Sequence, residues 1–218
     1  MGGAIPKQFL ALDGQPLVVH ALRVLQASSA VHEIILAVPA AEREYCLTHI
    51  VVPHHFSKVT KVVAGGEHRQ DSVRHALAEV DPETDLVLIH DAVRPFLTEQ
   101  MVQQVLEQAA KCGAAIIALP LRDTVKQVGA DRVIQRTVDR SPLWLAQTPQ
   151  AFRRDWLDHA HQKAVREGVR ATDDAHLVEL LGRPVVVVEG NGENIKVTRP
   201  EDMVIGEAIL AARKGRDA

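Results

Sequence analysis

Apolar positions along the chain follow two alternating rhythms. Short runs rich in Val, Ile, Leu and Ala recur as EIILAV (33–38), KVVA (61–64), LVLIH (86–90), AAIIAL (114–119) and PVVVVE (184–189). Between them, apolar residues return at helical spacing: Leu17, Ala21, Leu22 and Leu25 within 16–27, and Met101, Val102, Val105 and Ala109 within 98–111. Residues 69–79 are also expected to be helical. Strands that alternate with helices predict an α/β fold with a doubly wound, mostly parallel sheet covered by helices on both faces. Such strands are buried on both sides, which is why these runs are nearly continuous. One stretch breaks the rhythm. DTVKQVGADRVIQRTVDR (123–140) has two short alternating segments around Gly129-Ala130-Asp131, the pattern of a β-hairpin. A two-stranded hairpin is marginal alone in water, so it is expected to project as an arm and to need a partner, such as a second subunit. The tail ARKGRDA (212–218) is expected to fray.

A chain of 218 residues with 46% hydrophobic content can bury one sizeable core, so residues 1–218 are expected to form one domain, with 123–140 as its insertion. The net charge of −3 offers no general surface for nucleic acid or membrane, and neither is expected as a partner. Any polyanion must meet a local cluster of cations. Cys46 and Cys112 fit no disulfide framework or zinc spacing and read as reduced thiols of a cytoplasmic protein. Neither a transmembrane-length apolar run nor a signal peptide is visible. His54-His55 reads as a loop pair.

Open α/β sheets bind ligands at the carboxyl ends of their strands, and the polar chemistry collects there. GGEHRQDS (65–72) follows one strand and opens a helix; paired glycines allow close backbone approach, and a helix start suits an anion. HDAVRP (90–95) sets Asp91 and Arg94 against the end of the most apolar strand. RDT (122–124) follows AAIIALPL. TVDRSPLWLAQTPQAF (137–152) carries Arg140, Trp144 and Thr148, with Trp144 read as packing. NIKVTRPED (194–202) puts Lys196 ahead of a helix whose Thr198 and Glu201 have capping-box spacing. Each cluster alone has a plain structural reading: a turn, an Asp cap or a local ion pair. Together, Lys7, Arg69, Arg94, Arg140 and Lys196 near one sheet edge point to a small polyanionic ligand.

The ordered set PKQFL, GGEHRQDSV, HDAVRPF, LRDTVK, TVDRSPLWLAQTPQAF, TDDAHLVE and NIKVTRPED resembles the 2-C-methyl-D-erythritol 4-phosphate cytidylyltransferase family. The match runs from Pro6 to about Ala211, and TVDR..LW..QTPQ.F is its most specific part. The resemblance implies a Rossmann-like nucleotidyltransferase fold and a homodimer. It also implies transfer of a cytidylyl group from CTP to methylerythritol phosphate with release of pyrophosphate, and Mg²⁺ carried mainly on the CTP phosphates. Lys7 would hold the triphosphate. Gly66, Glu67 and Ser72 would read the cytosine edge, with Arg69 nearby. Asp91 and Ala92 would contact the ribose, and Arg94 would support the substrate side. Thr124 and Arg140 would reach from the partner's arm onto methylerythritol phosphate, and Thr148, Thr172 and Lys196 would complete that pocket. Asp173 reads as a helix cap. Glu67 stands where the family pattern has Asp. The pattern also opens with an apolar strand and an Ala-Ala-Gly-x-Gly-x-Arg-Met loop, and Met1 falls on its final Met. A chain beginning there is expected to hold CTP poorly. Two other readings stay open on sequence alone: a cytidylyltransferase for another polyol phosphate such as ribitol 5-phosphate, and a truncated, catalytically silent dimer.

Overall fold

The structure is a computed structural model that describes residues 6–217. A short turn at Lys7–Phe9 leads into a small hairpin of β1 (Ala11–Leu12) and β2 (Gln15–Pro16). Then follow α1 (Leu17–Ala27), β3 (Ile34–Val38), and α2 (Arg43–Tyr45), which runs into a wide turn of helix at Cys46–Val51. Next come β4 (Val59–Ala64), α3 (Arg69–Leu77), β5 (Leu86–Ile89), α4 (Glu99–Cys112) and β6 (Ala114–Pro120). A hairpin of β7 (Val125–Val128) and β8 (Ile134–Val138) precedes β9 (Trp144–Arg153). The chain closes with α5 (Arg154–Glu167), α6 (Asp174–Glu179), β10 (Val186–Glu189) and α7 (Pro200–Asp217).

The sheet departs from the expected mostly parallel arrangement. A four-stranded sheet runs in the order β10-β6-β9-β5, and β3 and β4 form a separate parallel ladder. Strand β10 pairs parallel with β6, but β9 lies antiparallel to both β5 and β6. The reason is β9 itself. The chain leaves β6 through the hairpin and returns through the middle of the sheet in the opposite direction. Its buried stretch, Gln147–Phe152, contains Gln147, Thr148 and Gln150, so no apolar run marks it as a strand.

Helices cover both faces, as a layered α/β domain requires. One core joins α1 and α4 to Ile34, Val38, Ala115, Ile117 and Ala151. The opposite core joins α5 and α6 to Ala114, Ile116 and Phe152. Successive residues of β6 therefore serve opposite faces, which explains its unbroken burial from Ala114 to Ala118. A third, small cluster of Leu12, Leu17, Phe96 and Val197 anchors the end of the β5 loop near α7.

Two terminal expectations need correction. At the start of α7, Asp202 Oδ2, not Glu201, accepts from the Thr198 and Arg199 backbone N–H groups and from the Thr198 hydroxyl. The tail does not fray but stays helical to Asp217. Arg213 and Arg216 both pair with Glu193, and the Arg213 guanidinium lies over the Phe96 ring. Asp173, by contrast, is the N-cap of α6, accepting from the His176 N–H.

Gly113 ends α4 in the left-handed region, at φ 94°, and turns the chain directly into β6. A Cβ there would lie 2.3 Å from the Trp156 ring. Backbone strain and overpacking together are expected to make Gly113→Ala roughly 2–4 kcal/mol less stable. Urea unfolding checks this; an unchanged midpoint would show that the Trp156 ring moves aside freely.

Candidate active site

Strand β5 ends at Ile89, and the next five residues form a tight turn in which the Arg94 N–H donates to the Asp91 carbonyl at 2.9 Å. Phe96 and Leu97, fully buried just beyond, hold this turn against the core. The turn presents Asp91 between two cations. Arg69 Nε donates to its Oδ1 at 2.8 Å, and Lys196 Nζ lies 2.8 Å from its Oδ2. Burial would favour the neutral acid, but Arg69 and then Lys196 overcome it and hold the pKa at about 2.

Arg69 reaches this position because it is the first residue of α3. The preceding glycines fold back on the helix start. A Cβ on Gly66 would lie 2.3 Å from Asp71 Cβ, and one on Gly65 would lie 2.8 Å from Ser72 Oγ. Ser72 Oγ closes the loop by accepting from the Gly66 N–H at 3.0 Å and donating to the His68 carbonyl at 3.1 Å. Glu67 points into solvent. Arg69 Nη1 donates to Asp174 Oδ2 at 2.6 Å, while Nη2 is buried without a protein partner. Burial disfavours the charged guanidinium, yet Asp174 and Asp91 more than offset this, and its pKa is raised.

A second set of bonds ties β9 and the 194–196 segment to the same turn. Thr148, buried on β9, accepts from the Asp91 N–H at 3.0 Å, and its hydroxyl lies 3.1 Å from His90 Nδ1. His90 Nε2 lies 3.0 Å from the Arg94 carbonyl. A carbonyl can only accept, so Nε2 carries the proton and Nδ1 accepts from Thr148. Burial pushes the His90 pKa down to about 4, which keeps this tautomer neutral. Arg94 Nη1 donates to the Asn194 carbonyl at 2.8 Å, and burial lowers the Arg94 pKa. The Asn194 side chain, itself fully buried, donates to Gln147 Oε1 and to the Thr148 carbonyl.

The structure therefore brings together Gly66, Arg69, Ser72, Asp91, Ala92, Arg94, Thr148 and Lys196. Lys7 is exposed on its short turn, and Thr172 is exposed just ahead of the Asp173 cap. Thr124 and Arg140 lie at the base of the hairpin, exposed, where Arg140 donates to the Arg122 carbonyl. Among the described residues, neither shares a hydrogen bond with the Asp91 group. Residues of the network that carried no role in the sequence reading include His90, Asp174, Asn194, and His161, whose Nε2 meets Asp174 Oδ1. His90 was hidden as the last residue of an apolar run, and Asn194 as the neighbour of a more conspicuous lysine. A 430 Å³ cavity bordered by Glu33, Lys61, Glu79, Asp81 and Arg154 lies at the opposite end of the strands, where Lys61 and Glu79 already pair with each other. Chemically, the Asp91 end of the sheet gathers more fixed positive than negative charge around one ionised carboxylate. Among the described residues it shows no nucleophile–base pair, and both His90 nitrogens are engaged. Such a site can hold phosphate and hydroxyl groups in place.

Comparison with known proteins agrees with this chemistry. The profile of the family described as 2-C-methyl-D-erythritol 4-phosphate cytidylyltransferase matches residues 1–212. The chain is 47% identical over 216 residues to the protein of that name from Pelotomaculum thermopropionicum, covering 99% of this chain and 91% of the relative. It is 45% identical to the one from Syntrophus aciditrophicus, with coverage of 99% and 92%. Among solved structures, the cytidylyltransferase of the same name from Thermus thermophilus superposes with a TM-score of 0.81 at 36% identity, covering 94% of each chain. A 4-diphosphocytidyl-2C-methyl-D-erythritol synthase from Anaerococcus prevotii superposes with a TM-score of 0.86 at 29% identity, covering 96% of this chain and 92% of that one.

The neutral His90 sets a pH window for stability. Its folded pKa, about 4, lies below the ordinary 6.5, so the unfolded chain binds the extra proton first. The contribution is complete above pH 6.5 and is lost as the pH falls towards 4. Between pH 7 and 4.5 stability should drop by on the order of 2 kcal/mol from this residue. His90→Gln should flatten that part of a urea-midpoint profile; a parallel drop in the variant would assign the pH dependence elsewhere.

Proposed function

The chain belongs to the 2-C-methyl-D-erythritol 4-phosphate cytidylyltransferase family, and on that premise we propose how its residues divide the work. The reaction transfers a cytidylyl group from CTP to 2-C-methyl-D-erythritol 4-phosphate, a step of isoprenoid precursor synthesis. An oxygen of the substrate phosphate attacks the α-phosphorus of CTP. The bond from that phosphorus to the bridging β-oxygen breaks, and pyrophosphate leaves. A phosphate monoester is largely ionised at pH 7, so no protein base has to generate the nucleophile. The difficulty is to align two polyanions and balance the charge of the transition state, which calls for fixed cations and positioned donors.

The observation that carries the assignment is Asp91, held ionised between Arg69 and Lys196 at the end of β5. Asp91 and Ala92 would receive the ribose hydroxyls. Gly66, Glu67 and Ser72 would face the cytosine edge, with Arg69 behind them. Lys7 would meet the triphosphate. Lys196 and Arg94 would balance charge on the methylerythritol phosphate side, with Thr172 at its rim. Thr148 would act by shape, because its hydroxyl is already taken by His90 and Asp91. Mg²⁺ would come with the nucleotide. Among the described residues no three His, Cys, Asp or Glu side chains could form a metal cage, and Asp91 already has both oxygens paired. The triphosphate oxygens suit such an ion, which would neutralise phosphate charge there.

Arg140 and Thr124 would act across a homodimer, delivered by the β7–β8 hairpin of the second subunit. Support comes from the exposure of Val128, Val133 and Ile134 on the hairpin, and of Trp144 and Leu145 beside it. A cytoplasmic location belongs to the same reading, supported by two free thiols, the buried Cys46 with its pKa raised to about 11. No helix among the described residues is long and apolar enough to cross a membrane.

Pyrophosphate release with CTP and methylerythritol phosphate tests the assignment. Lys196→Gln and Arg140→Ala should each lower turnover on the order of 10²-fold, as loss of one transition-state donor does. Melting temperature should change little. Near wild-type turnover in either variant removes that residue from the mechanism. If Arg140 works across the dimer, remixing the two variants should restore about a quarter of wild-type activity, the share of intact sites in random dimers. No recovery would place both residues on one subunit's site.

A further inference from the structure

Asp174 and His161 lie behind the proposed nucleotide site, and the reaction as derived above does not use them. Both are almost wholly buried, with side chains 1% and 2% exposed. His161, on α5, meets Asp174 Oδ1 through Nε2 at 2.9 Å, and Asp174 turns Oδ2 to Arg69 Nη1 at 2.6 Å. We propose that Asp174, held by His161, is a positioning residue that divides the Arg69 guanidinium between two carboxylates and thereby reserves one oxygen of Asp91 for Lys196.

A guanidinium facing a single carboxylate tends to bind it through two parallel N–H groups, filling both oxygens. Arg69 does not do so here. Its Nη1 is drawn to Asp174, which sets the guanidinium so that Nε alone reaches Asp91, at Oδ1, while Nη2, the group that would form the parallel pair with Nε, is left without a protein partner. Asp91 Oδ2 is left for Lys196 at 2.8 Å. Without Asp174, Arg69 could rotate onto both Asp91 oxygens and release Lys196. A buried ion cluster adds little stability over apolar packing of the same volume, so folding alone is a weak reason for it. His161 completes the arrangement by engaging Oδ1, which leaves Oδ2 directed at Arg69. The inference rests on the proposed roles of Asp91 and Lys196.

Steady-state kinetics with both substrates test it, using the full chain as the enzyme. His161→Gln retains a donor at the Nε2 position and should keep most activity. His161→Leu retains only bulk and should lose about tenfold in kcat/KM, the usual scale for a residue that orients a functional group. Asp174→Asn should raise KM for CTP and for methylerythritol phosphate together. Because Asp174 acts through Arg69, adding Asp174→Asn to Asp91→Asn should lower kcat/KM no further than Asp91→Asn alone. Equal kinetics for the Gln and Leu variants of His161, or multiplicative losses in the double variant, would overturn the proposal. If Asp91→Asn leaves the KM for CTP unchanged, the ribose assignment fails instead. Asp174 is then judged through Lys196, and an unchanged KM for methylerythritol phosphate in Asp174→Asn would overturn it. Should Asp174→Asn fail to fold, the His161 pair still decides.

Discussion

A carboxylate removed from water must be neutralised or paired, and the way Asp91 is paired organises the whole end of the sheet. Its two oxygens call in Arg69 from the start of α3 and Lys196 from the segment before α7. Its backbone N–H calls in Thr148 from β9. Three chain segments distant in sequence thus converge on one residue. Each partner is braced in turn: Arg69 by Asp174, Thr148 by His90, and the 194–196 loop by Arg94 and Asn194. The price is a handful of buried polar atoms without protein partners, among them Arg69 Nη2, Arg94 Nε and Asn194 Oδ1. Of the five such atoms among the described residues, four belong to this network and its backing, the exception being Arg154 Nε, and buried polar atoms without partners call for an explanation.

Helices and parallel strands were legible because their burial follows a simple period. The helix ending at Cys112 and the strand starting at Ala114 are separated by one glycine, and both patterns are plain in the sequence. Strand β9 was not legible, because its burial depends on partners. Gln147, Thr148 and Gln150 are buried there because Asn194, His90 and Asp173 receive or supply their hydrogen bonds. Polar residues at such positions read as a loop until the partners are known. The direction of β9 makes the sheet mixed, and nothing local encodes that direction.

The same distinction applies to the site. Asp91 and Arg94 could be found from the sequence because they interrupt an apolar stretch at a strand end, and Lys196 because it breaks an otherwise apolar approach to a helix. Asp174 could not, since a carboxylate near a helix start has an ordinary capping explanation, which its neighbour Asp173 in fact fulfils. His161 falls on the buried face of an ordinary amphipathic helix. Family resemblance assigned roles to residues proposed to meet ligands, whereas the residues behind them emerged only from the hydrogen bonds.

The last turns of α7 alter how the protein should be handled. Arg213 and Arg216 hold Glu193, one residue before Asn194, and Arg213 also donates to the Phe96 carbonyl below the β5 turn. Glu193 is kept ionised by these two partners. The carboxyl-terminal helix is thus a mechanical brace for the loop that carries Lys196. A fusion partner or affinity tag joined there, or trimming of the final turns, would load that brace directly. What looks in the sequence like a convenient charged handle is attached, through three side chains, to the end of the sheet that carries Asp91.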